Sequence, residues 1–129
     1  MKRLLIPLLA FLTLPNAVHS SHLYNQKEVI VTSESTKESI ELAKYLNVKG
    51  VVKYSAYWCP NCLNQSELFG KQAYKELNVV ECERDGINSQ TQLCIDKNIK
   101  GFPTWEINGK LILGVLSLKE LSKLTGFKN

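Results

Sequence analysis

The 129 residues predict one α/β domain, with a mixed central sheet flanked by helices. Three observations predict it. Short β-prone runs alternate with segments of helical spacing between residues 35 and 127. An Asn108-Gly109 pair joins the last two β-prone runs, which is a strong hairpin signal. Two cysteines, Cys59 and Cys62, stand where an apolar strand-like run gives way to a helical one. There are no internal repeats and no low-complexity tracts.

Residues 1–20 read as a secretory signal peptide. They open with Lys2 and Arg3, continue as an apolar run from Leu4 to Leu14, and end with small residues at Val18 and Ser20. Cleavage is expected after Ser20. An uncleaved anchor is the other reading, although the apolar run is far shorter than the ~20 residues of a spanning helix. Export follows from either. Loss of the leader removes two positive charges and no acidic one, so the formal net charge of +4 shrinks towards neutrality. Lysines and glutamates are interspersed rather than blocked, and nothing in that balance asks for nucleic acid. The remainder has no second long apolar run.

Residues 21–34 form an N-terminal extension, with Val29-Ile30-Val31 expected as a short edge strand. The domain proper spans 35–127. Ser35 and Glu38 have capping-box spacing, and Ile40, Ala43 and Leu46 recur with helical period behind them. Val51–Ala56 is the central strand. A helix is expected from Pro60 to Leu77, because Cys62, Ser66, Phe69, Ala73 and Leu77 fall on one face. Residues 78–82 are a second short strand, and 91–98 a short helix. A strand from Pro103, the Asn108-Gly109 turn and a return strand to Leu113 follow. Ser117 and Glu120 repeat the capping-box spacing, and Gly126 closes the last helix.

The strand-to-helix turn carries the chemistry. Cys59 falls at the helix N-terminus, with Pro60 at the first helical position, where a missing N–H costs nothing. A sulfur there meets unpaired N–H donors and the positive end of the helix dipole, both of which stabilise a thiolate. Cys62 lies one turn on, on the core-facing side, while Cys59 is expected to face solvent. An attacking and a resolving cysteine need that asymmetry to run thiol–disulfide exchange.

The element order matches the thioredoxin-like layout. Gly101-Phe102-Pro103-Thr104 stands where thioredoxin-like proteins have a cis-proline loop beside the cysteine pair. The resemblance narrows further. Tyr54–Cys62, Glu67–Gly70, Val80-Glu81-Cys82, Cys94 and Pro103–Lys110 resemble the thioredoxin-like domain fused to bacterial and plant homologues of vitamin K epoxide reductase. The resemblance covers roughly residues 50 to 127. It implies that the pair draws electrons from reduced substrate proteins and passes them to a quinone-linked membrane oxidoreductase, outside the cytoplasm. The compartment would be the periplasm or, in a photosynthetic host, the thylakoid lumen. No cofactor beyond the cysteines is implied. Two departures stand out. The family's membrane bundle has no counterpart in these residues, so the expected partner is a separate membrane protein. Asn61 also stands where the family often has His.

Thioredoxins carry a buried Asp six residues before the first cysteine, and here that position is Lys53. Two readings are open. An inward cation would favour the thiolate and make the couple more oxidising. Alternatively, Lys53 snorkels to solvent.

Four cysteines allow three pairings. Loop closure favours Cys59–Cys62 with Cys82–Cys94, the latter as a structural disulfide. A second redox pair is the alternative. Zinc is not expected, since structural sites draw on two close cysteine pairs, and the two histidines fall in the leader (His19) and beside it (His22). The surface expected to bind substrate comprises Trp58, Pro60, Phe102 and Pro103. Trp58 has a second reading as a shield for the sulfurs, and Trp105 is expected in the core.

The sequence therefore points to an exported thiol–disulfide oxidoreductase acting on reduced or disulfide-bonded substrate proteins. Two alternatives remain: a reductase or isomerase fed by a membrane donor, and a redox-inert binding module on the same fold.

Overall fold

The computed structural model describes residues 27–129. The leader, His19 and His22 lie outside the described residues. The elements in order are α1 (Lys37–Val48), β1 (Val52–Ser55), α2 (Pro60–Phe69), α3 (Lys71–Tyr74), β2 (Val79–Glu81), α4 (Thr91–Asp96), β3 (Thr104–Ile107), β4 (Lys110–Leu113) and α5 (Leu118–Thr125). The four strands form one sheet in the order β2-β1-β3-β4. β1 pairs parallel with β2, which a helical crossover through α2 and α3 makes possible. β1 and β3 are antiparallel, with Lys53 opposite Trp105, and β3 and β4 form the expected hairpin. Asn108 and Gly109 both have positive φ, 51° and 76°, as a tight two-residue turn requires.

Strand alternation assigns the two sheet faces. Trp105 and Ile107 of β3 pack with Leu42 and Leu46 of α1, Phe69 of α2 and Leu121 of α5 in the larger core. Burying each large side chain of this kind contributes about 1.5–3 kcal/mol. Tyr54 faces the other way, into a smaller cluster with Val80, Cys82 and Cys94 under α4. Tyr54 donates to Glu106 (2.6 Å), which also accepts from Lys97 just after α4. Lys53 and Ser55 thus share the face covered by α2.

Three expectations are corrected. The helix predicted to run to Leu77 breaks at Gly70, whose φ of 85° ends α2. The break makes room for the N-terminal segment: a Cβ on Gly70 would lie 2.5 Å from the Ser35 nitrogen. Cys62, Ser66, Phe69, Ala73 and Leu77 are nonetheless all buried. Residues 29–31 form no strand. The segment runs irregularly across α2 and α3, and side chains there take up its N–H groups: Glu67 accepts from Thr32 and Ser33, and Gln72 from Ser35. The cap of α1 is Thr36 rather than Ser35, because the Ser35 hydroxyl accepts from the Ala73 N–H. The second capping box, Ser117 with Glu120, forms as expected, and Gly126 caps α5 in the left-handed region. Among the described residues no helix is long and apolar enough to cross a membrane.

Candidate active site

β1 delivers the chain to the site and α2 carries it away. Cys59 is the N-cap of α2, with Pro60 in the first turn. The Cys62 N–H donates to Cys59 Sγ at 3.2 Å, so the sulfur serves as the capping acceptor that Ser or Asp supplies elsewhere. Both cysteines are free thiols.

Cys59 does not face solvent as expected. It is 6% exposed, against 0% for Cys62. The capping contact folds the sulfur back over the helix, and Phe102 packs against it. The Phe102–Pro103 peptide is cis, and the Phe102 carbonyl oxygen lies 3.5 Å from Cys59 Sγ. Pro103 is buried, and its carbonyl accepts from the Gly114 N–H at 2.8 Å, tying the loop to the end of β4.

Trp58 is 56% exposed and stands edge-on to Phe102, with ring centroids 6.2 Å apart. Its Nε1–H donates to Glu83 at 2.8 Å, which fixes the indole. Pro60 and Asn61 are exposed at the start of α2. Of the four residues expected to bind substrate, Phe102 packs against the sulfur and stands edge-on to Trp58, Pro103 follows it through the cis peptide, and Pro60 opens α2. Trp105 is in the core, its Nε1–H donating to the buried Gln65.

The inward reading of Lys53 holds, and the snorkelling one is overturned. Lys53 is fully buried, and its Nζ donates to the Ser66 hydroxyl at 2.6 Å and to the Cys62 carbonyl at 3.1 Å. The Tyr74 ring lies 5.5 Å from the ammonium. Burial lowers the Lys53 pKa to about 8, opposed by the charges of Cys62, Cys59 and Glu81. Burial also pushes the Cys62 thiol up to about 11, and the Cys59 contact adds to that. Ser55, the Ala56 N–H and Lys53 pull it back.

Cys82 and Cys94 form a disulfide with a Cα–Cα distance of 5.7 Å. It sits in the cluster under α4, on the opposite sheet face from Lys53 and Ser55. Among the described residues no group of three or more His, Cys, Asp or Glu side chains lies placed to hold a metal ion. Sequence reasoning missed three polar groups: Ser55, Gln65 and Glu83. Ser55 was detectable by parity with Lys53 on β1. Gln65 and Glu83 left no periodic signal, because their partners come from distant segments.

No protein-family model matches the chain. It is 48% identical over 100 residues to the thiol-disulfide oxidoreductase LTO1 of Arabidopsis thaliana, covering 75% of this chain and 27% of that protein. It is 30% identical over 106 residues to the protein disulfide-isomerase MPD1 of Saccharomyces cerevisiae, covering 78% of this chain and 32% of that protein. The chain thus spans between a quarter and a third of the length of these curated relatives. Together with the mixed four-stranded sheet and five helices of the described residues, these similarities give residues 27–129 a thioredoxin-like α/β fold.

Proposed function

We propose that the chain is an exported protein thiol–disulfide oxidoreductase working through Cys59-Pro60-Asn61-Cys62. The carrying observation is the free thiol at the N-cap of α2, its sulfur accepting the Cys62 N–H and flanked by the Phe102 carbonyl. Similarity to a protein named as a thiol-disulfide oxidoreductase supports the same chemistry. In the oxidising direction a substrate thiolate attacks Cys59 of the disulfide form, approaching over the Trp58–Phe102 edge, and Cys62 leaves. A second substrate thiolate then attacks the mixed disulfide and releases reduced Cys59. The pair returns to the disulfide by passing two electrons to a membrane partner resembling vitamin K epoxide reductase. Cys82–Cys94 has a structural role in this scheme. The leader's pattern supports export, to the thylakoid lumen in a photosynthetic host and to the periplasm elsewhere.

Oxidation of a reduced substrate protein tests the reading. The disulfide form should oxidise it, and Cys59→Ser should fall to the uncatalysed background. A wild-type disulfide form that oxidises no faster than the background, with biological activity unaltered in Cys59→Ser, would leave a redox-inert binding module. The similarity to a protein named as a disulfide isomerase favours keeping a second reading, in which the domain reduces or reshuffles disulfides. The reduction potential separates the reductant from the other two, and recovery of a scrambled-disulfide substrate without net oxidation separates the isomerase from the oxidant. A value of roughly −120 to −180 mV belongs to oxidants and isomerases, and one near about −270 mV to thioredoxin-type reductants.

A further inference from the structure

The Cys62 sulfur sits in a closed polar niche. Cys62 has no solvent contact, and neither do Lys53 and Ser55, which reach towards α2 from the same face of β1. Lys53 donates to Ser66 and to the Cys62 carbonyl, and the Ser66 hydroxyl donates to that same carbonyl at 2.8 Å. The ammonium is therefore anchored to the backbone of the resolving cysteine. Ser55 Oγ is different. Among the described residues it is the one buried side-chain nitrogen or oxygen without a hydrogen-bond partner. A buried hydroxyl left unpaired costs stability. The group it bears on is the Cys62 thiol, where Ser55, the Ala56 N–H and the Lys53 charge all favour the ionised form. Ser55 makes no aligned bond to the neutral thiol. A thiolate is a much stronger acceptor and would complete one.

We propose that Ser55 and Lys53 are positioning residues that hold Cys62 ready to leave as a thiolate when substrate attacks the oxidised pair. The inference rests on the exchange reaction proposed above. In that step a bond forms between the substrate sulfur and Cys59 Sγ, and the Cys59–Cys62 bond breaks. Its electron pair goes to Cys62 Sγ, where the Ser55 hydroxyl, the Ala56 N–H and the Lys53 cation meet the charge. The attack of the second substrate thiolate then completes a two-electron transfer, and the two protons shed by the substrate thiols balance those taken up by the reduced pair. A better-stabilised leaving thiolate departs faster. The other titratable groups bearing on the niche are Cys59, beside Cys62, and Glu81 and Tyr74, on the Lys53 side.

The test uses the full chain with Ser55→Ala and Lys53→Met. Each oxidised protein is reacted with reduced glutathione across a pH series, and its potential is read from glutathione equilibria by mass spectrometry. Each variant should react roughly tenfold more slowly near neutrality, and Ser55→Ala should keep the wild-type potential there, because the reduced pair then holds Cys62 as a thiol. Ser55→Ala removes an unpaired hydroxyl and shrinks the side chain, so it should fold. It decides the matter even if Lys53→Met does not fold. A Ser55→Ala protein with the wild-type rate would overturn the inference. If the wild-type pair fails to exchange with glutathione at all, the exchange reading fails and takes this one with it.

Discussion

A lysine without solvent contact costs the native state stability for as long as it stays protonated. The Lys53 pKa is lowered from 10.5 to about 8, with burial as the first cause. Its native state therefore binds the proton less tightly than the unfolded chain does. Below pH 8 the whole cost is present. As pH rises from about 8 to 10.5 the unfolded chain holds a proton that the native state has released, and stability rises with pH. Oxidising Cys59 and Cys62 removes their supporting charges and leaves burial, so the window then opens no higher than pH 8. Lys53→Met should thus stabilise the oxidised protein near neutrality, by on the order of 3 kcal/mol. The gain should shrink between pH 8 and 10.5, as read by urea unfolding at several pH values. A constant difference across that range would mean that Lys53 does not titrate there. The same substitution is expected to slow the attack of substrate on the oxidised pair, so stability and reactivity oppose each other at this residue. The unusual cation six residues before Cys59 was visible in the sequence. Its burial was not, because it depends on Ser66 of α2 offering a small hydroxyl at the right height.

Between elements, the contact least visible beforehand is the clamp between the N-terminal segment and α2. Glu67 accepts from the Thr32 and Ser33 N–H groups at 2.8 Å each, and the Ser33 hydroxyl donates to the Glu67 carbonyl. Lys71 N–H donates to Ser33 O, and Lys71 pairs with Glu34. Hydrogen bonds from Ser33 and Thr32 hold the Glu67 pKa at about 2, below its usual 4.5. A lowered carboxyl pKa gives stability that is complete above pH 4.5 and lost as pH falls through about 2. Glu67→Gln retains one acceptor oxygen and loses the charge. It should speed amide exchange at Thr32 and Ser33 while leaving the β1 amides protected. Unchanged exchange at those two amides would show that the clamp does not hold the segment. Periodicity marked Cys62, Ser66, Phe69, Ala73 and Leu77 as buried and missed Gln65. It carried no sign of the break at Gly70, because the cause lies at Ser35 in another part of the chain.

At the scale of the molecule, the sheet separates two sulfur chemistries. Lys53 and Ser55 point to the α2 face with the free pair, and Tyr54 points to the α4 face with the Cys82–Cys94 disulfide. The alternation of strands and helices, the hairpin and both cysteine pairs could be read from the sequence. The strand order and the division of cysteines between faces could not, since both depend on the parity of a four-residue strand within the assembled sheet. Phe102 packs against both clusters. If Cys82–Cys94 acts only as a staple across its 12-residue separation, replacing both cysteines with Ala should cost about 3 kcal/mol of stability. The potential of Cys59–Cys62 and the rate of its reaction with glutathione should stay at wild-type values. Denaturant unfolding and the glutathione equilibrium, run on the same double variant, read the two effects separately. A structural bridge lowers the unfolding midpoint alone. A relay that passes electrons through Cys82–Cys94 would instead leave the purified domain able to react with glutathione but slow its reoxidation by the membrane partner. A double variant that is stable yet no longer reoxidised would assign the second disulfide to electron transfer.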